Sequence, residues 1–352
     1  RQCVIRRHLC INHVFQLCIL REILINRANR KELSRFSPDI FFRSQRLTNR
    51  RDIFPKQLVS QASGYHYFLG IFQAIDIAFH DRERAQSKFE LSTGNTYPAT
   101  ALPWGMNFWT PQTGKMGDGW AYTYNADKIR GFKQTHQPSP WMNDYGQFSI
   151  MPITGGLVFD QDQRASWFSH KAEIAKPYYY KVYLADHDVT TELVPTERAA
   201  MFRFTYPETK NAYVVIDAFD KGSYVKVIPE ENKIIGYSTK NSGGVPENFK
   251  NYFVIQFDKP FTFTSGVKEN NILPNETEVQ GNHTGAIIGF ATQKGEIVHA
   301  RVASSFISYE QAELNLKELG KDSFDQLVTK GKDIWNREMS KEIGRASCRE
   351  RV

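Results

Sequence analysis

From Tyr178 onward the chain repeats one local pattern, short segments in which every second residue is apolar. Tyr180, Val182 and Leu184 alternate with Tyr179, Lys181 and Tyr183. A period of two places one set of side chains on one face of a strand and the other set on the opposite face. The same reading predicts strands over Val189–Val194, Ala199–Tyr206, Ala212–Ala218, Tyr224–Ile228, Lys233–Ser238, Tyr252–Phe257, Gly285–Ala291 and Ile297–Ser304. Pro229-Glu230-Glu231-Asn232 carries the turn chemistry of a hairpin loop between two of them. Many short strands in close succession restrict the chain to a mainly β, antiparallel sandwich or barrel. Residues 92–170 are rich in Gly, Pro and aromatics and read as long loops between short strands. After the last strand the period changes. Ala312, Leu316 and Leu319, then Phe324, Leu327 and Trp335, have helical spacing, which predicts helices over Ser308–Leu319 and Ser323–Lys341.

The net charge of +7 suggests a nucleic-acid partner until its distribution is followed. Residues 1–91 carry a net +8, residues 342–352 a net +1 and residues 92–341 a net −2. The middle is therefore a near-neutral globular sequence and the basicity belongs to the ends. All four cysteines, Cys3, Cys10, Cys18 and Cys348, lie there too, so residues 92–341 offer neither a disulfide framework nor a cysteine zinc site. The basic residues of 1–91 are mostly Arg and those of 92–341 mostly Lys, and EIGRASCRERV at Glu342–Val352 resembles translated sequencing-adapter DNA. The expectation is a non-native or unstructured basic segment at 1–91, a sandwich at 92–307, a helical linker at 308–341 and an adapter-derived tail at 342–352. A basic arm binding nucleic acid is the competing reading of 1–91, which lacks aromatic interleaving; no nucleic-acid partner is expected. No apolar run is long enough for a transmembrane helix, and no clear signal peptide is visible.

Several motifs follow one another in order. TGNTYPATALPWGMNFWTPQT (Thr93–Thr113), GFKQTHQPSPWMNDYGQFSIMP (Gly131–Pro152), FSHKAEIAKPYYYKVYL (Phe168–Leu184), TTELVPTERAAMFRFTYP (Thr190–Pro207), VASSFISYEQAELNL (Val302–Leu316) and Trp335-Asn336 together resemble the N-terminal domain of glycoside hydrolase family 92. That resemblance implies an antiparallel sandwich of the supersandwich kind, with exit helices leading to an (α/α)6 catalytic barrel that is missing from this chain. It implies an exo-acting, inverting, calcium-dependent α-mannosidase acting on N-glycan or mannan chains, and a periplasmic, cell-surface or secreted location. Inversion needs two carboxyls about 6.5–9.5 Å apart, with space for water, and calcium wants several hard oxygen ligands. In the family these groups belong to the barrel, so no catalytic residue and no metal ligand is assigned here. Ser92, Asn95, Tyr97, Trp104 and the SPWMN stretch depart from the family pattern.

What the sandwich is expected to supply is pocket wall, from Thr135, His136, Trp141, Asn143 and Asp144. Trp141 either stacks on a sugar face or packs on its own domain. His136 either hydrogen-bonds a mannose hydroxyl or holds its own loop through a backbone contact. Asp144 either orients His136 or caps a turn. Trp104 and Trp109 are read as core or domain-interface residues, Asn107 as facing the pocket, Glu192 and Arg198 as a structural ion pair, and Asp186-His187-Asp188 as a solvated hairpin turn. A free-standing carbohydrate-binding sandwich is the alternative function. The two exit helices speak against it, and a fragment of the mannosidase would be inactive alone.

Overall fold

The structure, a computed structural model, describes residues 98–116, 122–136, 145–241 and 243–349. The basic segment expected at 1–91 lies outside them, as do Trp141, Asn143 and Asp144.

Two antiparallel sheets face one another. The first has seven strands: β1 (Phe108–Gln112), β3 (Gly131–Thr135), β4 (Ser149–Thr154), β10 (Thr209–Asp217), β17 (Thr284–Thr292), β14 (Phe263–Lys268) and β15 (Asn271–Pro274), in that spatial order. The second has nine: β16 (Glu278–Gly281), β11 (Ser223–Ile228), β12 (Lys233–Ser238), β13 (Asn251–Phe257), β18 (Glu296–Ser305), β9 (Ala199–Tyr206), β8 (Val189–Pro195), β7 (Tyr179–Leu184) and β6 (Ile174–Lys176). A small ribbon pairs β2 (Lys128–Ile129) with β5 (Ser166–Trp167). β16 hydrogen-bonds to β11 in the larger sheet, although its neighbours in sequence, β15 and β17, belong to the smaller one.

The period-two segments are strands as expected, and the alternation names the correct face. In β7 Tyr180, Val182 and Leu184 are buried. In β11 the buried set is Ser223, Val225 and Val227. These faces meet in one apolar layer between the sheets. At its centre Trp109 stands edge-on to Phe202 (5.0 Å) and Phe148 (5.7 Å), and Phe148 stacks on Phe253 at 4.4 Å. Edge-to-face and offset pairs of this kind are the arrangement the aromatic quadrupole favours.

Residues 98–154 hold more regular structure than the loop-rich reading allowed. β1 and β3 are buried along their whole length, so neither shows alternation. Pro111 sits inside β1 because β1 is an edge strand whose outer side carries only the single bridge of Trp109 to Thr100.

The two exit helices are present. α1 (Tyr309–Leu316) is capped by Ser308, whose hydroxyl accepts the Gln311 amide at 3.2 Å. α2 (Phe324–Arg349) runs past the expected Lys341. It starts with a reciprocal box: Ser323 N donates to Gln326 Oε1 at 2.8 Å, and Gln326 N donates to Ser323 Oγ at 3.3 Å. Leu319, Phe324 and Leu327 pack on Val194, Ala199, Met201 and Ala303. That contact covers the outer face of the larger sheet, so β8 and β9 are buried on both sides there. Trp335 closes on Leu102, and its indole N–H donates to the Ala101 carbonyl at 2.9 Å.

Candidate functional site

The register brings five chain segments to one end of the sandwich. Phe108, at the start of β1, lies opposite Thr135, at the end of β3. Asn251 begins β13, Ser305 ends β18, and Ala199 begins β9 opposite Ala303. Two expected site residues, Thr135 and His136, sit here. Thr135 is buried, and its hydroxyl has no partner among the described residues. His136 Nδ1 lies 2.8 Å from the Tyr145 carbonyl. A carbonyl can only accept, so the proton is on Nδ1 and the histidine donates. This is the loop-holding contact, and it clasps the two ends of the segment 137–144. Trp141, Asn143 and Asp144 belong to that segment, and their positions are not described.

The clasp rests on an aromatic rim. The His136 ring is 4.8 Å from Phe306, Phe306 is 5.5 Å from Phe249, and Phe249 is 6.3 Å from Tyr145. Gly146 has φ +64°, and a Cβ there would meet Asn251 Cβ at 2.3 Å, so only glycine fits. Asn251 Nδ2 in turn donates to the Gly146 carbonyl at 2.7 Å and to Gln134 Oε1 at 3.2 Å. Beneath the rim lie buried polar atoms with no partner among the described residues: both side-chain atoms of Asn107, Trp109 Nε1, Gln134 Nε2, Asn251 Oδ1 and Ser304 Oγ. An unpaired buried polar group costs about 1–3 kcal/mol. So many at one end of a well-packed sandwich set this end apart. Asn107 is wholly buried rather than facing an open pocket, and Trp109 is core. Trp104 is exposed and so is not core, which leaves the domain-interface half of its reading.

The ion pair expected between Glu192 and Arg198 is replaced by two others. β8 and β9 pair with Glu192 opposite Arg203, and Arg203 Nε and Nη2 each donate to Glu192 at 2.8 Å. Arg198 lies in the turn between the strands and pairs with Glu318. Register decided the partner, and spacing in sequence did not. Asp186-His187-Asp188 is a hairpin turn with both aspartates exposed. His187 is half-buried and bridges the sheets, with Nε2 2.8 Å from the Arg164 carbonyl and Nδ1 accepting the Thr154 amide at 3.3 Å.

Sequence reading missed a buried charge cluster. Asp217 and Arg164 are both fully buried and pair at 2.8 Å. Asp217 also accepts from His283 Nε2 at 2.8 Å, Gln161 Nε2 at 3.0 Å and the Phe219 amide at 3.1 Å. Burial opposes ionisation of Asp217. The Arg164 charge and the hydrogen bonds from His283 and Gln161 outweigh it and hold the carboxyl well below the usual carboxylate range. Burial likewise opposes the charged form of His283, but the Asp217 hydrogen bond and charge leave it above its ordinary value. Arg164, Gln161 and His283 lie 53, 56 and 66 residues from Asp217, and no local pattern joins them to it.

Among the described residues no three of His, Cys, Asp and Glu converge in a way that could hold a metal ion.

The comparisons with known proteins agree with this geometry. The model of the glycosyl hydrolase family 92 N-terminal domain matches residues 84–305. The family GH92 inverting mannosidase of Bacteroides thetaiotaomicron VPI-5482 is 44% identical with a TM-score of 0.69, over 72% of this chain and 34% of that one. A family GH92 α-mannosidase of Bacteroides thetaiotaomicron is 32% identical with a TM-score of 0.64, over 71% and 36%. A further GH92 glycosyl hydrolase, 23% identical with a TM-score of 0.59, shares the fold. The chain thus spans about a third of the length of these solved relatives. No curated protein matches.

Proposed function

Since the chain belongs to glycosyl hydrolase family 92, as its N-terminal domain, we propose that it supplies pocket wall and domain interface to an inverting, calcium-dependent exo-α-mannosidase acting on N-glycan or mannan chains. The observation that carries this reading is the end of the sandwich at Thr135 and His136. Buried amides and hydroxyls without partners lie there under an aromatic rim. Phe306 stays exposed on this rim, an apolar surface of the kind that packs on a sugar face or on a second domain. Thr135, His136, Trp141, Asn143 and Asp144 are the residues proposed to face substrate.

The chemistry itself is assigned elsewhere. An inverting glycosidase needs one carboxylic acid to protonate the leaving oxygen and one carboxylate to activate water. Glu192 and Asp217 are each paired with an arginine, and Asp258 is held by the backbone amide and the ring of His299. Glu173 is held by Tyr180, Tyr122 and His170. The catalytic pair and the calcium ligands are therefore proposed to lie in the part of a family 92 enzyme that this chain does not span. The periplasm, the cell surface or the extracellular space is the proposed location. Among the described residues no helix is long and apolar enough to cross a membrane.

The test is hydrolysis of an aryl α-mannoside by this chain with calcium present. No release of the aryl group above background is expected. Turnover that co-purifies with the chain and is lost on substituting one of its own carboxylates would overturn the assignment.

A further inference from the structure

The turn Leu102-Pro103-Trp104-Gly105 is built against its own sequence. Gly105 N donates to the Leu102 carbonyl at 3.1 Å, with proline second and a residue of φ +68° third. That is a type II turn, and its third position calls for Gly or Asn. Here it holds tryptophan, whose Cβ makes the left-handed region unfavourable by about 1–2 kcal/mol. Nothing in the fold repays this through the side chain. Trp104 is 66% exposed, the most exposed tryptophan among the described residues, and makes no ring contact or side-chain hydrogen bond among them. The backbone around it is fixed on three sides. Ala101 N donates to the Pro177 carbonyl, Trp335 Nε1 donates to the Ala101 carbonyl, and Met106 N donates to the Glu197 carbonyl. The turn lies at the end of the sandwich that carries Thr135, since β1 begins at Phe108, just after it, and Phe108 pairs with Thr135.

A strained, immobile turn that holds a bare indole in water has the properties of a preorganised contact. The ring loses little freedom on binding because its backbone is already clamped. Its flat face suits the C–H face of a pyranose ring, and its N–H can donate to a hydroxyl. We propose that Trp104 is a substrate-contacting residue that stacks on a sugar ring of the α-mannoside; this rests on the pocket-wall reading above and names a residue for it.

The experiment uses this chain and methyl α-mannopyranoside, with binding measured by calorimetry and indole exposure by N-bromosuccinimide oxidation mapped to peptides. The sugar is expected to slow oxidation of Trp104 and to leave Trp167, which is exposed elsewhere on the sandwich, unprotected. Trp104→Gly is expected to weaken binding about tenfold or more, while its thermal midpoint rises because glycine is at ease at that φ. A merely structural tryptophan would lower the midpoint when removed. Binding that survives Trp104→Gly but is lost in His136→Ala overturns the inference and leaves the pocket-wall reading standing. Equal protection of Trp104 and Trp167 also overturns the inference. A wild-type chain that binds no α-mannoside overturns the inference and leaves the pocket-wall reading, which needs the rest of the enzyme, standing.

Discussion

At Asp217 a carboxylate shut off from water accepts from a guanidinium, an imidazole, an amide side chain and a backbone N–H. Such a group stabilises the fold only while every partner stays in place. Asp217→Asn leaves Arg164 buried without a counter-charge and is expected to cost about 3–5 kcal/mol, read by urea unfolding. The pH dependence has two limbs of opposite sign. Asp217 is depressed from 3.8, so its contribution is present above 3.8 and is lost as pH falls through its lower folded value. His283 is raised from 6.5, so its contribution is full below 6.5 and is lost as pH rises through its higher folded value. The thermal midpoint should therefore be highest between these limits, and Asp217→Asn should flatten both limbs. A profile unchanged by the substitution would contradict this account.

Among the elements, legibility follows from how many faces are buried. β7 and β11 have one face in the core and one facing outward, so their sequences alternate and their limits were readable to within a residue or two. β1 and β3 are buried on both faces and carry no alternation to read. β14, β15 and β16 are short or interrupted by Gly266, Pro274 and Gly281, so neither period nor composition marks them. The helices were legible because Leu319, Phe324, Leu327 and Trp335 keep one buried stripe. What their sequence did not disclose is the docking partner, since Trp335 closes on Ala101 and Leu102, far back in the chain. Trp335→Ala removes that packing and hydrogen bond and is expected to cost about 3–5 kcal/mol. Far-ultraviolet circular dichroism should lose helix signal before strand signal on heating this variant. Simultaneous loss of both would show that α2 is not held chiefly there.

For the whole molecule, the family was readable because motif order survives in a linear sequence, whereas the site was readable only in part. Thr135 and His136 were named as candidates because they fall in one continuous motif, Gly131–Pro152, that resembles the family's. Phe249, Phe306 and Asn251 reach the same place from the ends of β13 and β18 and the loops beside them, and no signal within the sequence connects them. Since among the described residues no three of His, Cys, Asp and Glu converge in a way that could hold a metal ion, millimolar calcium or a chelator should leave the thermal midpoint of this chain where it was. A ligand bound only by the native state would raise it by mass action. A calcium-dependent rise would place at least one strong binding site within the chain.

β16 departs from the layer of β15, joins the opposite layer for four residues and returns as β17. It acts as a stitch through both halves of the fabric. Sliding one layer over the other, or prying them apart at that edge, first requires the ladder from Ser223–Lys226 to Glu278–Gly281 to come undone. Mechanical loading across the layers should meet its resistance at this seam before the aromatic filling is disturbed.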